Sequence, residues 1–409
     1  MSGRGVRRTR STLEWGVRVF FAVVALTAGY IGLSHTLGYA LRYADPAQAY
    51  RIASHDGRIT ALLARTLSGP AATIEDRVRG DRLAHTALHQ DPTVVVAATV
   101  LGLNAGTRGD TVTARHFLTY AETLSRRELA PQLWAIEDAV ARKDIPLALR
   151  HYDIALRTSK QAPDLLFPVL VTANADSAVR VELARTLAKK PAWGNGFVDY
   201  LSMSGSDPAT VADLLRRLVY VGFPVSQGAR TTVLKKLLAQ GRIDEAWSYY
   251  SSLRSGVDRR HSRDARFVQK DTPTPFDWNL REDGVHASIQ RGATGGTVDF
   301  SAPSGVGGIV LEQTQLLPEG TYRLEGHSLG VLQDEGGTPY WSLRCHAGNE
   351  LNRIDVPASS QAGGVFSGTF KVPAGCPIQM LELTVRPSEA ITGATGQIDR
   401  VRIYPVYQK

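Results

Sequence analysis

The stretch YWSLRCH, residues 340–346, alternates large apolar and polar side chains, and this alternation decides how the last third of the chain folds. Successive side chains of a β-strand point to opposite faces of the sheet. One face of this strand therefore carries its apolar side chains, Trp341, Leu343 and Cys345. The other face carries Tyr340, Ser342 and Arg344.

The stretch QMLELTV, residues 379–385, alternates in the same way. Its large apolar side chains share one face: Leu381, Leu383 and Val385. Because such side chains are buried on folding, we expect the face of Trp341 to belong to the core. The outer or concave face would carry the polar members of both strands: Tyr340, Arg344, Glu382 and Thr384.

A change of composition after Lys270 marks where this β-rich region begins. The segment DTPTPFDWNL, residues 271–280, brings in two prolines, and short β-rich runs separated by Gly, Pro and Ser follow it. About seven or eight strands in ~130 residues are typical of a sandwich or jelly roll. We expect this all-β fold over residues 275–409. The candidate strands are 295–300, 308–313, 320–328, 340–346, 364–370, 379–385 and 398–404.

A linker is expected over residues 255–274. The run RRHSR, from Arg259 to Arg263, fits a solvated part of this linker, and a patch for an anionic partner is the less favoured alternative.

The two cysteines of the chain, Cys345 and Cys376, both lie in the β-rich region. An exported chain can pair them in an oxidising compartment, and we expect this disulfide. The alternative is two independent buried thiols, which are common in protein cores. Neither cysteine has the CxxC spacing of a metal or redox site.

The middle of the chain is rich in Ala, Leu and Arg and contains a repeat. The segment RGDTVTARHFLTYAETLSR, residues 108–126, is followed 34 residues later by RKDIPLALRHYDIALRTSK, residues 142–160. The shift aligns Asp110 with Asp144, Ala114 with Ala148, and Ala121 with Ala155. A 34-residue period is the signature of the tetratricopeptide helix pair, which this region resembles. We therefore expect an all-α, tetratricopeptide-like solenoid over residues 45–254.

Looser units flank the two clear copies, at residues 45–67 and 234–253. The second copy departs from the family pattern, because Ile136 stands where the first copy has Gly102. Such units stack because none buries its own apolar face alone. We expect the resulting concave surface to hold a peptide or a protein partner, and the alternative is a spacer.

An apolar run, VFFAVVALTAGYIGL at residues 19–33, continues more weakly to Leu41. About 20 such residues cross ~30 Å of hydrocarbon, so we expect a transmembrane anchor over residues 19–41. The alternative is a cleaved signal peptide, for which the sequence HTLGYA after the run is a poor cleavage site.

The basic tail before this run, residues 1–18, sets the expected orientation. It contains five arginines and a single acid, Glu14. Basic flanks stay in the cytoplasm, so the bulk of the chain is expected outside it. The tail also supplies +4 of the net charge of +8, so the basic balance does not predict a nucleic-acid binder.

Signals for catalysis, cofactors and metals are weak. His85 and His89 lie four residues apart, but no glutamate of the HExxH kind accompanies them, so we expect an ordinary helix surface. A glycosidase needs two carboxylates across the scissile bond, and no recognisable pair emerges from Asp277, Glu282, Glu382 and Asp399. We expect no enzyme, no cofactor and no metal site, and we assign no calcium site.

The β-rich region resembles the jelly-roll carbohydrate-binding modules and galactose-binding-like domains. The resembling pieces are LLPEGTYRLEGHSLG (316–330), FSGTFKVPAGC (366–376) and IDRVRIYPV (398–406). The resemblance implies an aromatic ring that stacks on a sugar and polar side chains that bond its hydroxyls. The candidates are Tyr340 with Arg344, or Trp278, and for each ring simple packing is an equal alternative.

The order of anchor, helical repeats and sandwich resembles membrane-anchored tetratricopeptide proteins of Gram-negative envelope polysaccharide systems. The resemblance implies a single-pass inner-membrane protein with a periplasmic bulk. It would act as a scaffold in exopolysaccharide, capsule or O-antigen assembly or export, with its solenoid on protein partners and its sandwich on glycan. The alternatives are a protein-only scaffold and, less favoured, an enzyme acting on glycan.

Overall fold

The computed structural model describes residues 12–270, 273–281, 284–292, 295–332, 337–346 and 348–406. Its helical part runs from Thr12 to Leu253 and its β part follows. The basic tail before residue 12 and Glu282 lie outside the described residues. The helices are α1 Thr12–Leu41, α2 Pro46–Ile52, α3 Gly57–Thr66, α4 Ile74–Gln90, α5 Val95–Thr107, α6 Thr111–Leu124, α7 Leu129–Ala141, α8 Ile145–Thr158, α9 Ala162–Ala173, α10 Ser177–Ala188, α11 Gly194–Ser204, α12 Pro208–Tyr220, α13 Gln227–Ala239 and α14 Ile243–Leu253.

The β part forms two antiparallel five-stranded sheets within the described residues. The first sheet has the order β1-β4-β9-β6-β7 and the second β2-β3-β10-β5-β8. Seven of these strands were predicted, and the alternation missed β1, β2 and β7. The strands are β1 Asn279–Leu280, β2 His286–Arg291, β3 Gly296–Ala302, β4 Gly308–Gln315, β5 Gly320–Leu329, β6 Tyr340–Cys345, β7 Glu350–Asp355, β8 Val365–Val372, β9 Gln379–Val385 and β10 Ala394–Pro405.

The first helix carries the predicted apolar run. Its stretch from Glu14 to Leu41 is long and apolar enough to cross a bilayer, and by length and composition it fits a membrane span or a signal sequence. Its last turns pack on the domain that follows. His35 Nε2 lies 3.3 Å from Asp56 Oδ2, and a Cβ added to Gly38 would lie 2.9 Å from Ile59 Cδ1.

The chain divides into two compact units, residues 1–166 and 167–409. In the first unit, the pair α5/α6 recurs as the pair α7/α8 after 34 residues, with the same helix lengths. Asp110 and Asp144 cap the second helix of each pair, where each carboxylate accepts a backbone N–H three residues on. The predicted repeat is thus confirmed as a helix pair, and its assignment to the tetratricopeptide family stays a prediction.

Small residues allow the helices of the first pair to approach closely. Ala114 and Ala121 are fully buried, and a Cβ added to Gly102 would lie 2.4 Å from Leu118 Cγ. Interiors packed this densely leave no room for an added methyl group. Position 102 therefore requires a glycine, because α5 and α6 are in direct contact there.

The sandwich core lies between the inner faces of the two sheets. Trp341, Leu343, Leu381 and Leu383 are fully buried there, as the alternation predicts. The disulfide between Cys345 and Cys376 is present and ties the end of β6 to the loop before β9. It joins residues 31 positions apart, and among the described residues no free cysteine remains.

The run from Arg259 to Arg263 is not solvated throughout, which corrects the sequence analysis. Arg263 is 4% exposed, and its guanidinium donates to Phe276 O (3.0 Å), Gln315 Oε1 (2.8 Å) and Thr314 O. Burial lowers its pKa to about 10, so it remains charged at neutral pH. We call Arg263 and these three acceptors the arginine hub. These hydrogen bonds and the nearby carboxylate of Asp277 stabilise the buried charge.

The segment around the hub packs on both the sandwich and the last helix. Ser262 exchanges hydrogen bonds with Ile403 of β10, where Ser262 N donates to Ile403 O and Ile403 N donates to Ser262 Oγ. Asp277, 2% exposed, accepts from Tyr250 OH of α14 at 2.8 Å and from Thr274. Residues 167–409 therefore form one compact unit in which α14 and the sandwich are joined by buried polar contacts.

Candidate functional site

The outward side chains of the first sheet lie across four paired strands. β6 and β9 pair so that Tyr340 stands beside Thr384 and Ser342 beside Glu382. On the far side of β9, Glu312 of β4 stands beside Glu382. We call this surface the first outer face. Its members are Glu312, Tyr340, Ser342, Arg344, Arg353, Asp355, Glu382 and Thr384.

Tyr340 supplies the aromatic ring of this face. Two guanidinium groups lie over it, those of Arg353 and Arg386, with Cζ 4.7 and 4.5 Å from the ring centroid. Arg386 is itself held by Asp355 Oδ1 (2.7 Å) and Thr338 O (2.7 Å). Such cation–π contacts attract the guanidinium groups to the face of the ring. A sugar that stacks on Tyr340 has to share the ring with these arginines or displace one of them.

Arg344 and Glu382 pair at the centre of the face, with Nε 3.4 Å from Oε2. The Arg344 side chain is 44% exposed, whereas that of Glu382 is 9% exposed. Burial raises the pKa of the Glu382 carboxyl above its usual range, and the Arg344 guanidinium opposes this rise. A carboxylate and a guanidinium in this arrangement can accept from and donate to neighbouring sugar hydroxyls. Perturbed carboxyls of this kind cluster at functional sites.

Trp278 does not belong to the face, which corrects its assignment as a sugar-stacking ring. It is 5% exposed, packs edge-on against Trp341 at 5.7 Å, and donates its indole N–H to Asp264 O at 3.0 Å. Both its apolar surface and its polar atom are therefore used in the core. The structure brings Tyr340 and Arg344 together on one face and places Trp278 beneath the sheet.

A second polar face, on the outside of the second sheet, was missed by the sequence analysis. Alternating residues of β5 and β10 point outward and form ion pairs and hydrogen bonds across the strands. Arg402 Nη2 lies 2.9 Å from Glu325 Oε2, and Tyr404 OH donates to Glu325 Oε1 at 2.5 Å. The signal was present in the stretch 316–330, where Arg323, Glu325 and His327 alternate with buried residues.

His327 lies at the rim of this second face. Its Nδ1 is 2.9 Å from Asp399 Oδ1, and its Nε2 is 3.1 Å from Gly363 O. Asp399 occupies the irregularity of β10 between Ile398 and Arg400. The extra residue thus positions a carboxylate for the histidine.

The remaining sequence candidates are dispersed. His85 lies edge-on to Phe117, and no cluster of three metal-ligating side chains exists among the described residues. The acids Asp277, Glu382 and Asp399 lie respectively beside α14, on the first outer face and at the rim of the second. The structure does not bring any two of these three together.

No protein family matches this sequence, and no curated protein is significantly similar to it. Several solved structures match part of the chain. The enzymatically active domain of tailspike protein 4 from bacteriophage CBA120 is 16% identical, with a TM-score of 0.26, and the match covers 37% of this chain. The chain spans 21% of the length of that domain.

Two further matches are carbohydrate-binding modules, and they fall in the C-terminal sheet region. The CBM22-1 xylan-binding domain from Paenibacillus barcinonensis Xyn10C is 14% identical, with a TM-score of 0.24, over 36% of this chain and 94% of that one. A CBM6 module from Cellvibrio mixtus lichenase 5A, solved with cellotriose, is 14% identical, with a TM-score of 0.21, over 32% and 98%. Identities and scores this low do not establish a shared function.

Proposed function

We propose that this protein is a membrane-tethered periplasmic adaptor for exopolysaccharide, capsule or O-antigen assembly or export. In this proposal α1 is retained as a single span with a cytoplasmic N-terminus. The helical region docks protein partners of the system, and the sandwich binds glycan. The protein itself is not catalytic.

The proposal that the sandwich binds glycan rests on one observation, the first outer face. It presents a tyrosine ring, arginines and a buried carboxylate side by side on strands of a rigid sheet. Sites on strands hold their side chains more precisely than sites on loops. Hydroxyl-rich ligands need such a set of donors and acceptors around one ring.

The disulfide and the apolar helix support the location. Disulfides persist in oxidising compartments, which fits the far side of a membrane from the cytoplasm. Weak glycan contacts gain from tethering, because a second contact at a surface forms at a raised effective concentration. An adaptor held at the membrane would use this effect with a growing or passing polysaccharide.

Glycan binding can be tested by affinity electrophoresis of the full chain in detergent, through gels that contain envelope polysaccharides. We expect retardation by at least one of them. Arg344→Ala and Tyr340→Ala should weaken the binding about tenfold. Arg402→Ala, a matched change on the second polar face, should leave the retardation unchanged.

Each other outcome would reject one part of the proposed function. Retardation that is lost in Arg402→Ala and kept in Arg344→Ala would assign glycan to the second face. No retardation on any polysaccharide would reject glycan binding and leave the protein-only scaffold. That second candidate is favoured by one observation, namely that Arg353 and Arg386 already cover the Tyr340 ring.

A further inference from the structure

An open groove runs along the second helices of three successive pairs in the second unit. Its volume is about 680 Å³, and it is bounded by α10, α12 and α14. Aliphatic side chains form its floor, where Ala184 is 4% exposed and Val181 and Leu253 are half-buried. The floor offers few hydrogen-bond partners, which disfavours a hydroxyl-rich sugar and favours apolar anchors.

The end of α12 extends the apolar surface to the rim. Val219, Tyr220 and Val221 are consecutive, and they are 38, 93 and 38% exposed. The chain turns away at Gly222, whose φ of +73° lies in the left-handed region and ends the helix. Contiguous exposed apolar groups next to a groove mark interaction sites, and tyrosine is enriched among residues that dominate binding.

Positive charge surrounds this apolar surface. Two arginines, Arg180 and Arg217, share the single carboxylate of Asp213 at 3.2 and 3.0 Å. Among the described residues Arg216 has no carboxylate partner, and its Nη1 donates to Ser248 Oγ at 3.3 Å. Arg185 adds a further guanidinium, paired with Glu182. The groove therefore has more cations than anions.

The charge excess is a property of the whole segment. Residues 176–242 contain ten Lys and Arg against five Asp and Glu, a net +5. With the +4 of residues 1–18, these two segments more than account for the net +8 of the chain. Of these ten cations, Arg185, Arg216 and Arg217 line the groove with one acid, Asp213, while α14 adds Asp244 and Glu245 outside that lining. Complementary charge across an interface selects partners and speeds their encounter.

We infer that this groove docks an acidic, amphipathic segment of a protein partner, its apolar side chains on the valine and leucine floor and its carboxylates on Arg216 and Arg217. Helix-in-groove recognition uses anchors at helical spacing in this way. The inference rests on the protein-docking half of the proposed function and names the chemistry of that partner.

Display selection of random 16-residue peptides on the full chain in detergent tests it. We expect enriched peptides with two or more acids and apolar residues at helical spacing. Arg216→Glu should weaken their binding at least tenfold, and Tyr220→Ala, a change at a side chain that is 93% exposed and so outside the core, severalfold. Lys235→Glu makes the same charge change on exposed α13 surface away from the groove and should have little effect.

Three results would overturn the inference: no enriched peptide, enriched peptides without acids, or equal losses in Arg216→Glu and Lys235→Glu. Displacement of the peptides by alginate, with the same sensitivity to Arg216→Glu, would assign the groove to an acidic polysaccharide instead. The polysaccharide gels are run on the same preparation. A chain that binds glycan but no peptide loses this inference alone, whereas a chain that binds neither loses the proposed function.

Discussion

In the paired helices, Gly102 meets Leu118, a residue 16 positions away, whereas in the sandwich Ser262 bonds Ile403 across 141 positions. The first unit is built from contacts between neighbouring helices, and the pair α7/α8 repeats the pair α5/α6. The sandwich depends on distant segments meeting at the arginine hub, at the disulfide and along β10. Damage to a helix pair should therefore remain local, while damage to the sandwich should spread through it.

The largest expected effect is that of Arg263→Met. It leaves the buried acceptors Phe276 O, Thr314 O and Gln315 Oε1 without their donor, and should lower the free energy of unfolding of the second unit by about 3–5 kcal/mol. Urea unfolding followed by hydrogen exchange and mass spectrometry measures it region by region. Arg260→Met, on an exposed neighbour, is the control. A loss confined to residues 255–280 would show that damage to the sandwich stays as local as damage to a helix pair.

Removal of the disulfide comes next. Opening a cross-link between residues 31 positions apart should cost about 3–4 kcal/mol through the entropy of the unfolded chain. The double change Cys345→Ala, Cys376→Ala should lower the thermal midpoint of the sandwich and leave exchange in α5 to α8 unaltered. Equal acceleration in those helices would contradict the separation of the two units.

Gly102→Ala tests whether damage to a helix pair stays local. The new methyl group would meet Leu118, so we expect a loss of about 1–3 kcal/mol, and the double change with Leu118→Ala should cost less than the sum of the two single changes. Gly196→Ala on α11, where an added Cβ meets nothing within 4 Å, should instead stabilise by about 0.5–1 kcal/mol. Hydrogen exchange should rise in α5 and α6 only, and a rise in the sandwich would refute local damage.

The smallest effect is expected from Glu382→Gln. Because the folded chain has a raised pKa at Glu382, it holds this proton more tightly than the unfolded chain, and stability falls as pH rises from about 4.5 through the raised value. The glutamine variant lacks this loss, so its advantage in the free energy of unfolding should be absent near pH 4 and present at pH 7. Denaturation at both pH values checks this, with exposed Glu319→Gln as control. An equal stabilisation of the glutamine variant at both pH values would show that the raised pKa of Glu382 is not its cause.

Much of the fold could be predicted because the signals were local. The 34-residue repeat predicts the recurring helix pair, and the alternation in 340–346 and 379–385 predicts that Trp341, Leu343, Leu381 and Leu383 are buried. β7 was missed because its two apolar residues, Leu351 and Ile354, are three positions apart, so its sequence does not alternate. Strand order was not predictable at all, since it depends on which distant segments pair.

The site was less predictable, for the same reason. A tryptophan without periodic neighbours, such as Trp278, gives no indication of which side of a sheet it will occupy. Arg263 sits in a charged run that resembles solvated surface, and its burial depends on acceptors up to 52 positions away. The groove assembles from three helices that are not consecutive, so no stretch of sequence contains it.

The packing of the last turns of α1 against α2 and α3 gives this helix a mechanical role. Tyr39 and Leu41 cover the cluster of Ala49, Ala53 and Ile59, and Arg58 Nη1 donates to Tyr39 OH at 3.3 Å. A flexible linker limits only the distance between the membrane and the domain. A helix that is packed on the domain also transmits its own tilt and rotation to it. In a retained span, any tilt of α1 in the bilayer would turn the first helical pairs with it.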